Sequence, residues 1–226
     1  GEAVVEIFKA PYYNDARFDG AKIYKGRKSS DVQKMDTVLF KLQGGPVSVL
    51  QLDIAKNTES ILTKEAMEYY NYSISGVIEI DNKPHYVIDF LQKPSVDIPL
   101  FMGSLIINME TYGITEVEFG FNLEDKEAAA SIFIRKKPVG MKVIPEVATY
   151  RTKYREQDGR LHFVYSRAEV KFKVDWAKRL FNTYYTTMSE IAVTDRTDQE
   201  VIKFAGKDKI KYSDIFTEKV SAFADP

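Results

Sequence analysis

Apolar and β-branched residues dominate the chain between Tyr69 and Asn122 and predict four consecutive antiparallel β-strands. Residues 70–80 and 84–90 flank the polar stretch Asp81-Asn82-Lys83, which is typical of a tight hairpin turn. Residues 102–108 and 114–121 form a second pair around Thr111-Tyr112-Gly113. We therefore expect this four-stranded meander to be the scaffold on which the rest of the chain packs.

Strand patterns continue on both sides of the meander. Residues 3–9 and 21–25 predict an N-terminal pair, and residues 147–155 and 161–173 predict a long hairpin around the turn 156–159. In the second arm, small or apolar residues from Val164 to Val174 alternate with mostly charged residues from Phe163 to Lys173. One face of this strand is therefore expected to lie on the core. Residues 184–194 are predicted to continue the sheet.

Helical periodicity is concentrated between residues 30 and 68. Apolar residues recur at intervals of three and four ahead of a glycine pair that can end a helix: Val32, Met35, Leu39 and Leu42. This spacing predicts a short amphipathic helix, although residues 37–40 also have strand character. Further helical turns are predicted from Pro46, over residues 62–67 and over 123–131, with a terminal helix or turn from Tyr212.

The count of about ten strands, mostly joined by hairpins, defines the expected fold class. An antiparallel sheet of this size has to curl, or wrap around something that covers its apolar face. The sequence therefore predicts a mainly β fold with minor α, built as an open, strongly curved antiparallel sheet or unclosed barrel with helices covering the concave face. We expect one domain over residues 1–226, excised from a longer exported protein, with a C-terminal extension at about 204–226.

Charge, cysteine content and the length of the apolar runs exclude several classes of function. The chain has 32 basic and 33 acidic residues and a net charge of -1, so no global field attracts nucleic acid. It contains no cysteine, which excludes disulfides, thiolate metal sites and cysteine nucleophiles. Its longest apolar runs fall far short of the roughly 20 residues that cross a bilayer, so no transmembrane segment is predicted.

The candidate catalytic groups have simpler explanations. His85 and His162 lie far apart in the sequence and lack the close spacing of metal ligands. Glu116 and Glu118 share one face of a predicted strand, which is typical of the solvated side of a sheet. We therefore expect no enzyme activity, no catalytic residue, no metal site and no cofactor.

The 14 tyrosines and 14 phenylalanines suggest either a well-filled core or the lining of a ligand cavity. If a cavity is present, it is expected between the sheet and the helix over residues 32–42. The candidate ligand-binding residues are Met35, Leu39 and Leu42 on the helix and Tyr72, Tyr86 and Phe119 on the sheet.

The order of elements resembles the fold of the bacterial lipoprotein localisation factors, on the stretches 86–90, 103–108, 111–114 and 150–161. A second resemblance covers nearly the whole chain. It is similar to uncharacterised exported proteins of Gram-negative bacteria that carry a carboxypeptidase-like regulatory domain ahead of a region like this one, on residues 24–28, 39–46, 134–138, 176–182, 190–196 and 214–216. These resemblances imply an unclosed barrel and a location in the periplasm or outer membrane, and they imply no reaction. Because the chain starts without Met or an apolar h-region, we expect any signal peptide to lie outside this segment.

Two function hypotheses follow. The first is a noncatalytic envelope domain that binds a lipid or acyl group in the cleft between sheet and helices. The alternative is a protein-interaction or scaffold module of a larger exported protein, with an envelope protein as partner and the strand edges or the tail from Phe204 to Pro226 as contact surface.

Overall fold

The structure is a computed structural model that describes residues 2–9, 20–27, 41–42, 46–56, 61–177 and 180–209. Its strands are β1 (Glu2–Phe8), β2 (Gly20–Arg27), β3 (Lys41–Leu42), β4 (Tyr70–Ile80), β5 (Lys83–Gln92), β6 (Phe101–Asn108), β7 (Ile114–Phe121), β8 (Ile134–Lys136), β9 (Met141–Gln157), β10 (Arg160–Trp176) and β11 (Thr183–Ala192). Its helices are a 3-10 helix (Pro46–Leu52), α1 (Lys64–Met67), α2 (Lys126–Phe133) and a short 3-10 turn (Gly206–Asp208).

Seven of the described strands form one antiparallel sheet in the order β11-β10-β9-β7-β6-β5-β4. The sheet is not closed into a barrel, because β11 and β4 lie at opposite edges. Two smaller pairs, β1 with β2 and β3 with β8, lie outside it. The predicted mainly β class with an open antiparallel sheet is therefore confirmed.

The predicted meander is present as β4 to β7. Asp81 and Asn82 have φ angles of 50° and 59°, so both occupy the left-handed region. Two consecutive left-handed residues make the two-residue turn that matches the twist of a hairpin, and Ile80 pairs with Lys83 directly beside it. Asn108 supports the next turn, since its side-chain oxygen accepts hydrogen bonds from the backbone N–H groups of Glu110 and Thr111.

The hairpin of β9 and β10 is longer than its sequence pattern indicates, and it is irregular. The register shifts between Phe163 and Tyr165, so Val164 is an additional residue in β10. This bulge changes which face the earlier residues occupy. Phe163, which simple alternation places on the charged face, is buried and packs against Tyr154.

The core lies on one face of the seven-stranded sheet, which we call the inner face. One cluster joins residues of β4 to β7, β9 and β10 to the 3-10 helix, the turn after it and the β1–β2 hairpin, and it includes Leu50, Ile54, Ile61, Phe90 and Val117. A second cluster joins Phe133 at the end of α2 to β9 and β10. The 3-10 helix and α2 thus cover part of the inner face, mainly over β9 to β11.

The predicted helices have mixed outcomes. The 3-10 helix begins at Pro46, α1 lies within the predicted turn at 62–67, and α2 begins after Asp125, whose side chain accepts hydrogen bonds from the N–H groups of Glu127 and Ala128. The prediction that Leu42 is helical is wrong: it lies in β3, where it pairs with Ile134. A strand partner distant in the sequence here overrides the local helical spacing. The rest of the predicted helix, at 30–40, and the predicted terminal helix lie outside the described residues.

Candidate binding surface

A β-bulge in β4 places two apolar side chains on the inner face. The register pairs Ile74 with Ile88 but Gly76 with Val87, so Ser75 is an additional residue. Positions three apart lie on opposite faces of a regular strand, and the additional residue brings Ile74 and Val77 onto the same face. Ile74 is 64% exposed and Val77 is 57% exposed.

The neighbours of this pair extend it into a continuous surface. Ile88 packs against the core cluster, so the residues that share its face also belong to the inner face. Tyr86 pairs with Val77 and is half-buried. On the other side, the half-buried Tyr72 stacks on Phe90 with ring centroids 6.4 Å apart. We call Tyr72, Ile74, Val77 and Tyr86 the edge apolar surface.

Two tyrosines at the buried end of this surface differ in their hydrogen bonding. The Tyr72 hydroxyl donates to the carbonyl oxygen of Ile61 at 2.6 Å. Tyr70 is 3% exposed, and its hydroxyl makes no hydrogen bond of normal geometry to the described residues. Burial raises the pKa of Tyr70 to about 12, with a further rise from Tyr72 and a partial offset from the nearby backbone of Phe101. The Tyr70 hydroxyl therefore stays protonated as a buried donor.

Only two of the six predicted ligand-binding residues lie together in the described part of the structure. Tyr72 and Tyr86 lie together on the edge apolar surface. Phe119 is 4% exposed and packs against Phe101 and Tyr150 at centroid distances of 5.2 and 5.1 Å, which makes it part of the filled core. Met35 and Leu39 lie outside the described residues, and Leu42 lies in β3.

A buried polar cluster that sequence reasoning missed fastens the 3-10 segment to the sheet. Asp53 is fully buried; its carboxylate accepts a hydrogen bond from the Tyr154 hydroxyl at 2.8 Å and forms an ion pair with Lys9 at 2.6 Å. The Tyr154 hydroxyl also accepts from the N–H of Ala55 at 3.1 Å. Thr152 adds a hydrogen bond to the carbonyl oxygen of Leu52 at 2.8 Å. The cluster holds its segment in place, and the isolated Asp53 within an apolar stretch was its only signal in the sequence.

The paired carboxylates Glu116 and Glu118 lie on the face opposite the core, which we call the outer face. Glu116 forms ion pairs at 3.1 Å with both Arg151 and Lys153, and Glu118 pairs with Arg151. Cross-strand ion pairs of this kind are typical of a solvated sheet face. Their geometry is that of a charge ladder, in agreement with the interpretation from spacing.

The two histidines occupy ordinary strand positions. His85 is buried in β5, with its Nδ1 atom 2.8 Å from the carbonyl oxygen of Lys83, and His162 is half-buried in β10. Within the described ranges, no three His, Cys, Asp or Glu side chains are grouped so as to hold a metal ion. None of the described helices is both long enough and apolar enough to cross a membrane.

Comparisons with known proteins found no match to any family model, any curated protein or any solved structure. The class that the structure itself defines is therefore an open antiparallel sheet with helical cover and an exposed apolar surface at one edge.

Proposed function

We propose that this chain is a noncatalytic domain of the bacterial cell envelope that binds the acyl chain of a lipid on the edge apolar surface. The observation that carries the proposal is the pair Ile74 and Val77, which continue the inner face beyond the core and remain more than half exposed. Exposed apolar residues that adjoin one another mark binding sites more often than isolated ones do. The envelope location and the lipid class rest on the resemblances found in the sequence.

The chemistry of the surface suits an acyl chain. Its residues offer aliphatic and aromatic carbon and include no charged side chain. Covering the exposed parts of Ile74 and Val77 contributes roughly 2–4 kcal/mol, which is enough for weak binding once further contacts add to it. Tyr72 and Tyr86 flank the pair and add ring area.

Titration of the 226-residue chain with a fluorescent fatty acid tests the proposal. Replacing Ile74 by Gln removes about 1–2 kcal/mol of apolar burial and is expected to weaken binding roughly 5- to 30-fold. The matched control is Met188→Gln, because Met188 is 51% exposed on the strand at the opposite edge of the sheet. The control is expected to bind like the unmodified chain. Equal loss in both variants, or no binding by the unmodified chain, contradicts the proposal.

The second candidate function is a protein-interaction or scaffold module. It is favoured by the position of β4 at the edge of the sheet. The side of β4 that points away from β5 pairs with no described strand. An edge strand with free N–H and C=O groups is a common template for pairing with another chain.

A further inference from the structure

The edge strand β4 lacks most of the features that keep sheet edges from pairing. It contains neither proline nor lysine, and Glu79 is its one charged residue. Ile74, Val77 and Ile78 are 64%, 57% and 40% exposed. Its one protective feature is the bulge at Ser75. Long, mostly apolar edges with few charges are predisposed to form intermolecular sheet.

The hairpin geometry fixes which backbone groups of β4 point away from β5. A two-residue turn closes on a hydrogen-bonded pair, here Ile80 with Lys83, and such pairs then alternate along the ladder. Glu79 with Pro84 is therefore a pair without mutual hydrogen bonds. This assignment agrees with Pro84, whose carbonyl oxygen instead accepts from the N–H of Met109 beyond β6.

The alternation of hydrogen-bonded and non-hydrogen-bonded pairs continues along β4 and through the bulge. It identifies one set of residues that make no backbone hydrogen bonds to β5. Their N–H and C=O groups face away from β5, and their side chains lie on the inner face: Tyr70, Tyr72, Ile74, Val77 and Glu79. Except at Glu79, these inner-face side chains are apolar or aromatic, and they belong to residues whose outward backbone groups pair with no described strand.

We propose that β4 pairs with β4 of a second copy of this chain, antiparallel and about a two-fold axis that passes between Ser75 and Gly76. In this register Ile74 faces Val77 of the other copy, and Tyr72 faces Glu79 of the other copy. Every one of these four residues has outward-facing backbone groups, so the four symmetry-related pairs supply about eight intermolecular hydrogen bonds.

The self-complementarity of this register argues for a second copy rather than a different partner. The two bulges meet at the axis, so the change of face occurs at the same point in both copies and apolar residues face apolar residues. Glu79 lies opposite a tyrosine, and the two Glu79 side chains are well separated. A shift by one residue places inner-face side chains opposite outer-face ones and loses the hydrogen-bonding alternation. The pairing joins the two sheets and brings their edge apolar surfaces side by side, and it does not depend on lipid binding.

Cysteine cross-linking tests the register, because the chain contains no cysteine of its own. Ser73 faces Ile78 of the other copy in a pair without mutual hydrogen bonds, where Cα atoms are about 4.5 Å apart and within disulfide reach. The double variant Ser73→Cys, Ile78→Cys is expected to form a covalent dimer on mild oxidation. The control Ser73→Cys, Val77→Cys offers side chains on opposite faces and is expected to remain largely uncross-linked. Equal cross-linking of both variants overturns the register.

Sedimentation velocity with charge variants provides a test that does not depend on oxidation. The unmodified 226-residue chain is expected to show a concentration-dependent monomer–dimer equilibrium. Ile74→Glu alone or Val77→Lys alone is expected to weaken dimerisation at least tenfold. The double variant Ile74→Glu, Val77→Lys is expected to restore dimerisation, because each new acidic side chain then faces a new basic side chain of the other copy. The double variant Ile74→Glu, Val77→Glu is expected to stay monomeric. A monomer at every concentration, a ladder of larger oligomers, or a dimer that ignores these charges overturns the proposal.

Discussion

Removing one hydroxyl group from each of two tyrosines in the same strand should change stability in opposite directions. Tyr70 and Tyr72 both lie on the inner face of β4, with ring centroids 6.1 Å apart. The buried Tyr70 hydroxyl makes no hydrogen bond of normal geometry to the described residues, whereas the Tyr72 hydroxyl donates to the carbonyl oxygen of Ile61 at 2.6 Å. Substitution by Phe deletes the same atom in each case.

The expected magnitudes follow from the hydrogen-bonding difference. A buried polar group without a partner costs about 1–3 kcal/mol, so Tyr70→Phe should raise the free energy of unfolding by about 1 kcal/mol. Tyr72→Phe removes a hydrogen bond and leaves the carbonyl of Ile61 without that donor, so it should lower the free energy of unfolding by about 1–2 kcal/mol. The two variants should therefore differ by about 2–3 kcal/mol, or roughly 4–12 °C in Tm for a chain of this size.

Urea unfolding followed by circular dichroism measures both changes on the same scale. Equal m-values for the two variants and the unmodified chain would show that the transitions can be compared directly. If Tyr70→Phe destabilises the protein as much as Tyr72→Phe does, the Tyr70 hydroxyl is hydrogen-bonded in solution, and our account of this end of the inner face is wrong.

Three further predictions test other parts of the structure. Tyr154→Phe removes a donor from the buried carboxylate of Asp53 and should destabilise the protein by about 2–3 kcal/mol in urea unfolding; a change below about 0.5 kcal/mol contradicts the anchoring role. Gly103→Ala places a Cβ atom against the backbone of β7, in a clash with the carbonyl oxygen of Glu118, and should lower the Tm by several degrees or prevent folding; an unchanged Tm contradicts the close approach of β6 and β7. Burial raises the pKa of Tyr70 and of Tyr150 to about 12, so both tyrosines keep their protons in the folded state at a pH where the unfolded chain loses them. The free energy of unfolding that this difference contributes is therefore fully present below about pH 10 and declines as the pH rises towards 12. Urea unfolding across this pH range should show a smaller decline in Tyr70→Phe than in the unmodified chain, and identical declines contradict the assignment.

Local chemistry was sufficient to predict the meander. The turn at Asp81 and Asn82 and the β-formers on both sides of it are adjacent in the sequence, so short-range propensity and tertiary structure agree there. The same holds for Pro46 at the start of the 3-10 helix and for the Ala- and Glu-rich stretch 123–131, which overlaps α2.

The features that sequence reasoning missed depend on distant partners. Asp53 meets Lys9 and Tyr154, which are 44 and 101 residues away, and no local pattern encodes that meeting. The bulges at Ser75 and Val164 change the sheet face on which the residues beside them lie. A prediction from simple alternation assumes a regular strand and cannot locate an additional residue. Leu42 joins a strand because Ile134 is beside it. The edge apolar surface therefore became visible only with the register of β4 in place, although two of its four members, Tyr72 and Tyr86, were already candidates.

Native mass spectrometry of the chain purified from a bacterial host tests the central claim most directly. We predict additional mass on the folded protein that disappears on denaturation, extracts into organic solvent as lipid, and is reduced in Ile74→Gln but retained in Met188→Gln. A folded chain that carries no extractable mass and takes up no fatty acid when one is supplied would contradict lipid binding at the edge apolar surface.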